Sequence, residues 1–133
     1  MSQGAQWSVP GHPVLAAVSD ASASLASVSE VPVWSLDDAG FVEAVGAVHR
    51  LIGQGQELLL RLIGAADAAG VPARAGASSS LAWVRDLLTV TPQAARQLTC
   101  TASAIRGGMT ATGAALAAGA VGLEQAAAIC RAS

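Results

Sequence analysis

The chain has 133 residues, of which 53% are hydrophobic but only 3% aromatic, and its formal net charge is −2. This length suits one domain with a modest core. All seven basic residues are arginine, and the slightly acidic balance argues against a strong polyanion binder, because neutralising phosphates requires clustered positive charge. Any contact with a nucleic acid must therefore be local.

We expect residues 1–34 to form a loosely ordered N-terminal segment. Residues 1–11 show no periodicity, and the stretch from about Pro13 to Ser29 allows only a short helix, since its serines compete for backbone hydrogen bonds. Pro32 favours extended backbone at Val31, so residues 31–34 are predicted to be a linker. The start has no basic segment before an apolar core, unlike a secretory signal, and a cytoplasmic location is expected.

A helical domain is predicted over residues 35–133, beginning with a long helix. Ser35 is the expected N-cap, and Asp37 and Asp38 suit the positive end of the helix dipole. Apolar residues then recur at alternating steps of four and three, which predicts a helix from about Leu36 to Ala69 with a length of about 50 Å. This pattern, called the heptad seam below, comprises Phe41, Val45, Val48, Ile52, Gly55, Leu59, Leu62 and Ala66.

Glycines weaken the long helix. Each costs about 1 kcal/mol relative to alanine, so packing against a partner must hold the helix together. The positions are Gly46, Gly53, Gly55 and Gly64. The segment Gly53–Gly55 is the expected site of a bend or of a close helix contact. Glu57 and Arg61 are spaced for an i,i+4 ion pair.

A loop over residues 71–77 is followed by two helices joined by a short turn. Ser78 or Ser79 suits the N-cap of the first helix, which is expected to stop at residues 89–91 because Pro92 disfavours helix at Thr91. Pro92 is a good first residue for the second helix, with Thr91 as its cap. Such a pair has the general form of a helix-turn-helix. We expect Trp83 and Leu88 to face the long helix.

Two short helices are predicted after Gly107. One runs from Met109 to Ala118 with Thr110 as its cap and Gly119 beyond its end, and the other runs from Leu123 to about Arg131 without a terminator, which suggests a truncated domain. Cys100 and Cys130 are expected to be buried as small apolar residues. The most apolar stretch, residues 111–130, is rich in Ala and Gly and is predicted to be a helix pair and not a membrane span. The expected fold is all-α: one long helix packed with several short helices, including the helix-turn-helix-like pair.

The chain also resembles a known family. Over roughly Leu36 to Ala132 it is similar to the actinobacterial domain-of-unknown-function 222 family, with Gly122 standing where that family leads one to expect a Ser or Thr cap. The matching residues are Ser79, Trp83, Val84, Arg85, Leu88, Thr91, Ala94, Ala95, Arg96, Ala115, Leu116, Gly119, Val121, Gln125, Ala126 and Ile129. The resemblance implies a helical N-terminal domain of an HNH endonuclease-like protein.

Catalytic chemistry is not predicted for this chain itself. An HNH nuclease needs a histidine to activate water and a cluster of His, Asn or Asp to hold a divalent metal. The sequence has only His12 and His49 and no Asn, so we assign no catalytic, metal or cofactor-binding residue. A full-length parent protein would be the endonuclease.

Two hypotheses for the function follow from different features. In the first, the helix after Pro92 contacts DNA through Gln93, Arg96 and Gln97, which lie where recognition helices read base edges. In the second, the chain is a protein-interaction or oligomerisation module without nucleic-acid binding, in which the long helix pairs with a partner helix or a second copy. The acidic balance favours the second hypothesis, and the helix-turn-helix form favours the first.

Overall fold

The computed structural model describes residues 11–133, and the regular elements in this range are all helical. The expected all-α class, with one long helix and several shorter ones, is confirmed. Seven α-helices follow one another: α1 Pro13–Ala26, α2 Asp38–Ala68, α3 Val71–Arg74, α4 Ser80–Leu88, α5 Pro92–Arg106, α6 Thr110–Ala117 and α7 Leu123–Ala132. The expectation that the start of the chain is loosely ordered falls, for residues 1–10, outside the described residues.

The chain divides into two units, Met1–Ala39 and Gly40–Ser133. In the first unit, α1 buries none of its residues, and His12 caps it by accepting a hydrogen bond from the Val14 amide at 3.1 Å. The prediction that Ser35 caps the long helix is wrong. Ser35 ends a 3₁₀ turn, Val33–Ser35, in the segment expected to be an extended linker, and its hydroxyl donates to the Pro32 carbonyl at 2.7 Å. Leu36 is extended (φ −72°, ψ 145°), so helical backbone cannot continue directly from Ser35 and α2 begins only at Asp38.

The second unit is built around a core in which α5 is central, packed against α4, α6 and α7. Its buried side chains come from four helices, α2, α4, α5 and α6. They are Leu60, Ile63, Val84, Ala95, Leu98, Ala102, Ile105 and Leu116. Trp83, one of the two residues expected to face the long helix, is half-buried against this cluster, whereas Leu88, the other, is 37% exposed and is not part of it.

The face of α2 that meets the core is not the heptad seam. Its buried residues are Gly53, Leu60, Ile63 and Gly64, which lie about 100° around the helix axis from the seam at 3.6 residues per turn. Gly53 and Gly64 make this possible because they have no side chain. A Cβ on Gly53 would collide with the carbonyl oxygen of Leu116. A Cβ on Gly64 would lie 3.3 Å from the carbonyl oxygen of Ala102.

The helix ends of the second unit follow local chemistry. Ser79 and Thr91 cap α4 and α5 as expected, accepting hydrogen bonds from the Ala82 and Ala94 amides at 3.0 and 3.1 Å. Gly119 follows α6 with the positive φ of 77° that glycine tolerates. The predicted loop over residues 71–77 is partly wrong, because residues 71–74 form the short helix α3. No helix in the described range is long and apolar enough to cross a membrane.

Candidate functional site

The three residues expected to contact DNA lie in one groove. Gln93, Arg96 and Gln97 line a groove of about 580 Å³ whose walls are α5 and α7. Gln93 and Arg96 are exposed and Gln97 is half-buried. They lie in the first two turns of α5, where the helix dipole is positive and favours an anion. The structure therefore places the three side chains on one surface, which we call the α5–α7 groove.

The charge of the groove comes from both helices. Arg131 and Glu124 of α7 line it opposite the residues of α5. Neither Arg96 nor Arg131 makes an ion pair within residues 11–133, whereas Arg61 pairs with Glu57 at 2.7 Å, as the sequence predicts. Two uncommitted guanidinium groups against one carboxylate leave the groove weakly positive on an otherwise acidic chain.

Both cysteines also line the α5–α7 groove. Cys130 is half-buried, and this burial raises the pKa of its thiol. The expectation that Cys100 would be buried is wrong, since it is exposed. Cys100 follows Gln93 and Gln97 at helical spacing and therefore faces the groove with them. Leu98, Ala102 and Ile105 occupy the side of α5 that faces the core. Thr101 also lines the groove and is only 2% exposed.

The α7 side of the groove was not predicted from the sequence. Glu124, Ala127 and Arg131 recur at steps of three and four, so a helix-face analysis of α7 could have grouped them. Nothing local indicates that this face lies opposite Arg96, because the packing of α7 on α5 depends on contacts between distant parts of the chain.

The second candidate surface is the heptad seam of α2. Phe41, Val45, Val48, Ile52 and Leu62 are all exposed, with 68% of Val45 and 53% of Ile52 accessible. The neighbouring side chains Val42 and Leu51 are exposed as well, while Leu59 is half-buried against the core. Among the described residues 11–133, the seam is therefore an apolar face that is exposed over most of its length.

Charged residues avoid this face. Within the turns between the two ends of α2, the charged side chains are Glu43, Arg50, Glu57 and Arg61. At 3.6 residues per turn they all lie about 180° around the axis from the seam. The residues that flank the seam are apolar or uncharged amides, apart from His49. The surface suits an apolar partner and not a polyanion.

The helix glycines divide between the two faces of α2. Gly53 and Gly64 are explained by the core, as described above. Gly55 belongs to the seam, is exposed, and has open space where a Cβ would stand. No contact within the described chain requires a glycine there.

Residues 11–133 contain no group of three His, Cys, Asp or Glu side chains placed to hold a metal ion. His12 serves as the cap of α1, and His49 lies beside the turn at Gly119, where an added Cβ would be 3.5 Å from its ring. The two histidines thus have separate local surroundings. In comparisons with known proteins, no protein-family model, no curated protein and no solved structure matches the chain.

Proposed function

We propose that this chain is a helical protein-interaction module that binds a partner helix along the heptad seam. The observation that carries the proposal is the exposure of the seam: five large apolar side chains follow one face of α2 over six turns without an intervening charge. Contiguous apolar surface of this kind marks interaction sites on folded proteins, because leaving it in water is unfavourable.

The shape of the surface defines the kind of partner. A spacing of four and three residues along a straight helix matches the knobs-into-holes packing of a second helix. From Phe41 to Ala66 the seam is about 37 Å long at 1.5 Å per residue. A partner helix with a similar apolar stripe would cover it, whereas a flat sheet or a nucleic acid would not.

The proposal can be tested by site-specific photo-crosslinking in cells that express the chain. A photoreactive amino acid at position 48 on the seam should give crosslinked protein, and the substitution Ile52→Glu in the same chain should remove the product. Position 87 is the matched control, because Leu87 is a 62% exposed apolar residue on α4, away from the seam. Equal crosslinking from both positions, or none from position 48, would contradict the proposal.

A second candidate function is contact with DNA, as part of the HNH endonuclease-like protein that the sequence resemblance implies. What supports it is the grouping of Gln93, Arg96 and Gln97 with Arg131 near the positive end of α5. An arginine can engage guanine or a phosphate with two hydrogen bonds. With few phosphates neutralised, the affinity should be low and the dependence on salt shallow.

Fluorescence anisotropy with a DNA duplex at low and moderate salt tests this candidate. We expect Arg96→Ala to weaken binding, while Arg74→Ala serves as the control, since Arg74 is an exposed arginine of α3 outside the α5–α7 groove. Binding that both variants reduce equally, or no binding at low salt, would exclude this candidate and leave the interaction module.

A further inference from the structure

We propose that the partner helix on the heptad seam is α2 of a second copy of this chain, packed antiparallel so that Ile52 of each copy lies against Gly55 of the other. This inference rests on the proposed interaction function and adds the identity and the direction of the partner. It is carried by three observations: the charge-free seam, the open space at Gly55, and the area that the seam offers.

The absence of charge makes the seam compatible with itself. A two-fold symmetric interface brings the same patch from both copies together, so charges of one sign on the patch would be brought close to each other. The four charged side chains between Phe41 and Ala66 lie on the opposite side of the helix, and Asp38 and Asp67 stand beyond the ends of the seam. Two seams can therefore meet without like-charge repulsion.

Gly55 sets the direction. In a parallel pair each seam residue would meet its own copy, and two glycines facing each other would leave a gap. In an antiparallel pair each small seam residue meets a large one: Ile52 lies opposite Gly55 and Phe41 opposite Ala66. The remaining pairs are Val48 with Leu59 and Val45 with Leu62. This register fills the space at Gly55 with the Ile52 side chain, and it gives a reason for a helix-weakening glycine that the chain itself does not use.

The area is sufficient for a weak dimer. Seven large apolar side chains on or beside the seam are between 37% and 76% exposed, and a fully exposed one presents on the order of 100 Å² of apolar surface. Two copies would then bury on the order of 750 Å² of apolar surface, or roughly 1,100 Å² in total if about 65% of a homodimer interface is apolar. That exceeds the approximately 1,000 Å² expected of a specific interface.

Sedimentation equilibrium of the whole chain tests the dimer. We expect a concentration-dependent dimer that Ile52→Glu weakens at least roughly 30-fold, with no change in the control Leu87→Glu. Gly55→Leu discriminates the register: it enlarges the apolar face, so a non-specific apolar association would tighten, whereas the antiparallel pair should weaken about 10-fold because Ile52 loses its space. Circular dichroism of each variant confirms that the helices are intact.

Disulfide trapping gives an independent measurement of direction. In a background with Cys100→Ala and Cys130→Ala, a mixture of the single variants Val45→Cys and Leu62→Cys, oxidised with diamide, should form the mixed disulfide. Val45→Cys alone should not form a dimer. Trapping of Val45→Cys with itself, a tighter Gly55→Leu dimer, or a wild-type chain that stays monomeric would each overturn the inference. If position 48 still crosslinks to a different protein in cells, the interaction function stands and only the second copy is excluded.

Discussion

Gly53 and Gly55 are two residues apart in α2, and replacing each by alanine should change the free energy of unfolding in opposite directions. Replacing an exposed helical glycine by alanine stabilises a helix by about 1 kcal/mol, because alanine loses less backbone entropy on folding. At Gly55 nothing lies within 4 Å of an added Cβ, so Gly55→Ala should raise the free energy of unfolding by about this amount.

At Gly53 the added methyl meets backbone instead of open space. It would collide with the Leu116 carbonyl oxygen and would also lie 3.5 Å from the Leu116 carbonyl carbon and 3.7 Å from the Gly119 nitrogen. Neither helix can move its backbone without disturbing the packing of Leu116, which is fully buried. Overpacking of this kind costs up to about 3 kcal/mol. The helix-propensity gain offsets about 1 kcal/mol of it, so Gly53→Ala should lower the free energy of unfolding by roughly 2 kcal/mol.

Urea denaturation followed by circular dichroism measures both changes. The chain should be held at about 1 μM, a low concentration that favours the monomer of a weakly associating chain, so that the values refer to the monomer. Both variants carry the same substitution in the same helix, and they differ only in the atoms that surround the added methyl group. If Gly53→Ala were neutral or stabilising, α2 would not approach α6 through Gly53, and the assignment of the buried face would be wrong.

Three further outcomes are expected. Trp83→Ala should lower the free energy of unfolding by roughly 2 kcal/mol, about half of the value for a fully buried tryptophan, because Trp83 is only half-buried; a loss below about 0.5 kcal/mol in urea denaturation would show that its contact with the core is unimportant. Thr91→Ala should lower that free energy by about 1 kcal/mol, since the Ala94 amide loses its cap, and an unchanged denaturation midpoint would refute the capping role. Iodoacetamide at pH 8 should modify Cys100 before Cys130, because Cys100 is exposed. Burial raises the pKa of the Cys130 thiol and so lowers its thiolate fraction at any given pH. Peptide mass mapping that finds Cys130 modified first would contradict this order.

The sequence by itself determined where most helices of the second unit begin and end. Ser79, Thr91 and Pro92 act through their own backbone bonds and fixed φ, and Gly119 supplies a positive φ after α6, so these boundaries need no distant partner. The failures at the starts of α2 and α3 have the same local character: Leu36 is extended after the 3₁₀ turn that ends at Ser35, and a proline-containing segment formed one helical turn where a loop was expected.

Only the tertiary structure decided which face of α2 meets the core. Periodicity identified the more apolar stripe, but a neighbouring face of α2 contacts the core. On that face Gly53 and Gly64 permit the backbones of α6 and α5 to approach α2. Glycine gives no hydrophobic signal in a sequence pattern, so periodicity could not identify this face. The same holds for the α5–α7 groove. Helical spacing could place Gln93 and Gln97 on one face of α5 and Arg131 on one face of α7, but it could not show that these faces lie opposite each other. Caps and turns depend on residues that are close together in the sequence. The relative rotation and pairing of helices depend instead on contacts between residues far apart in the chain.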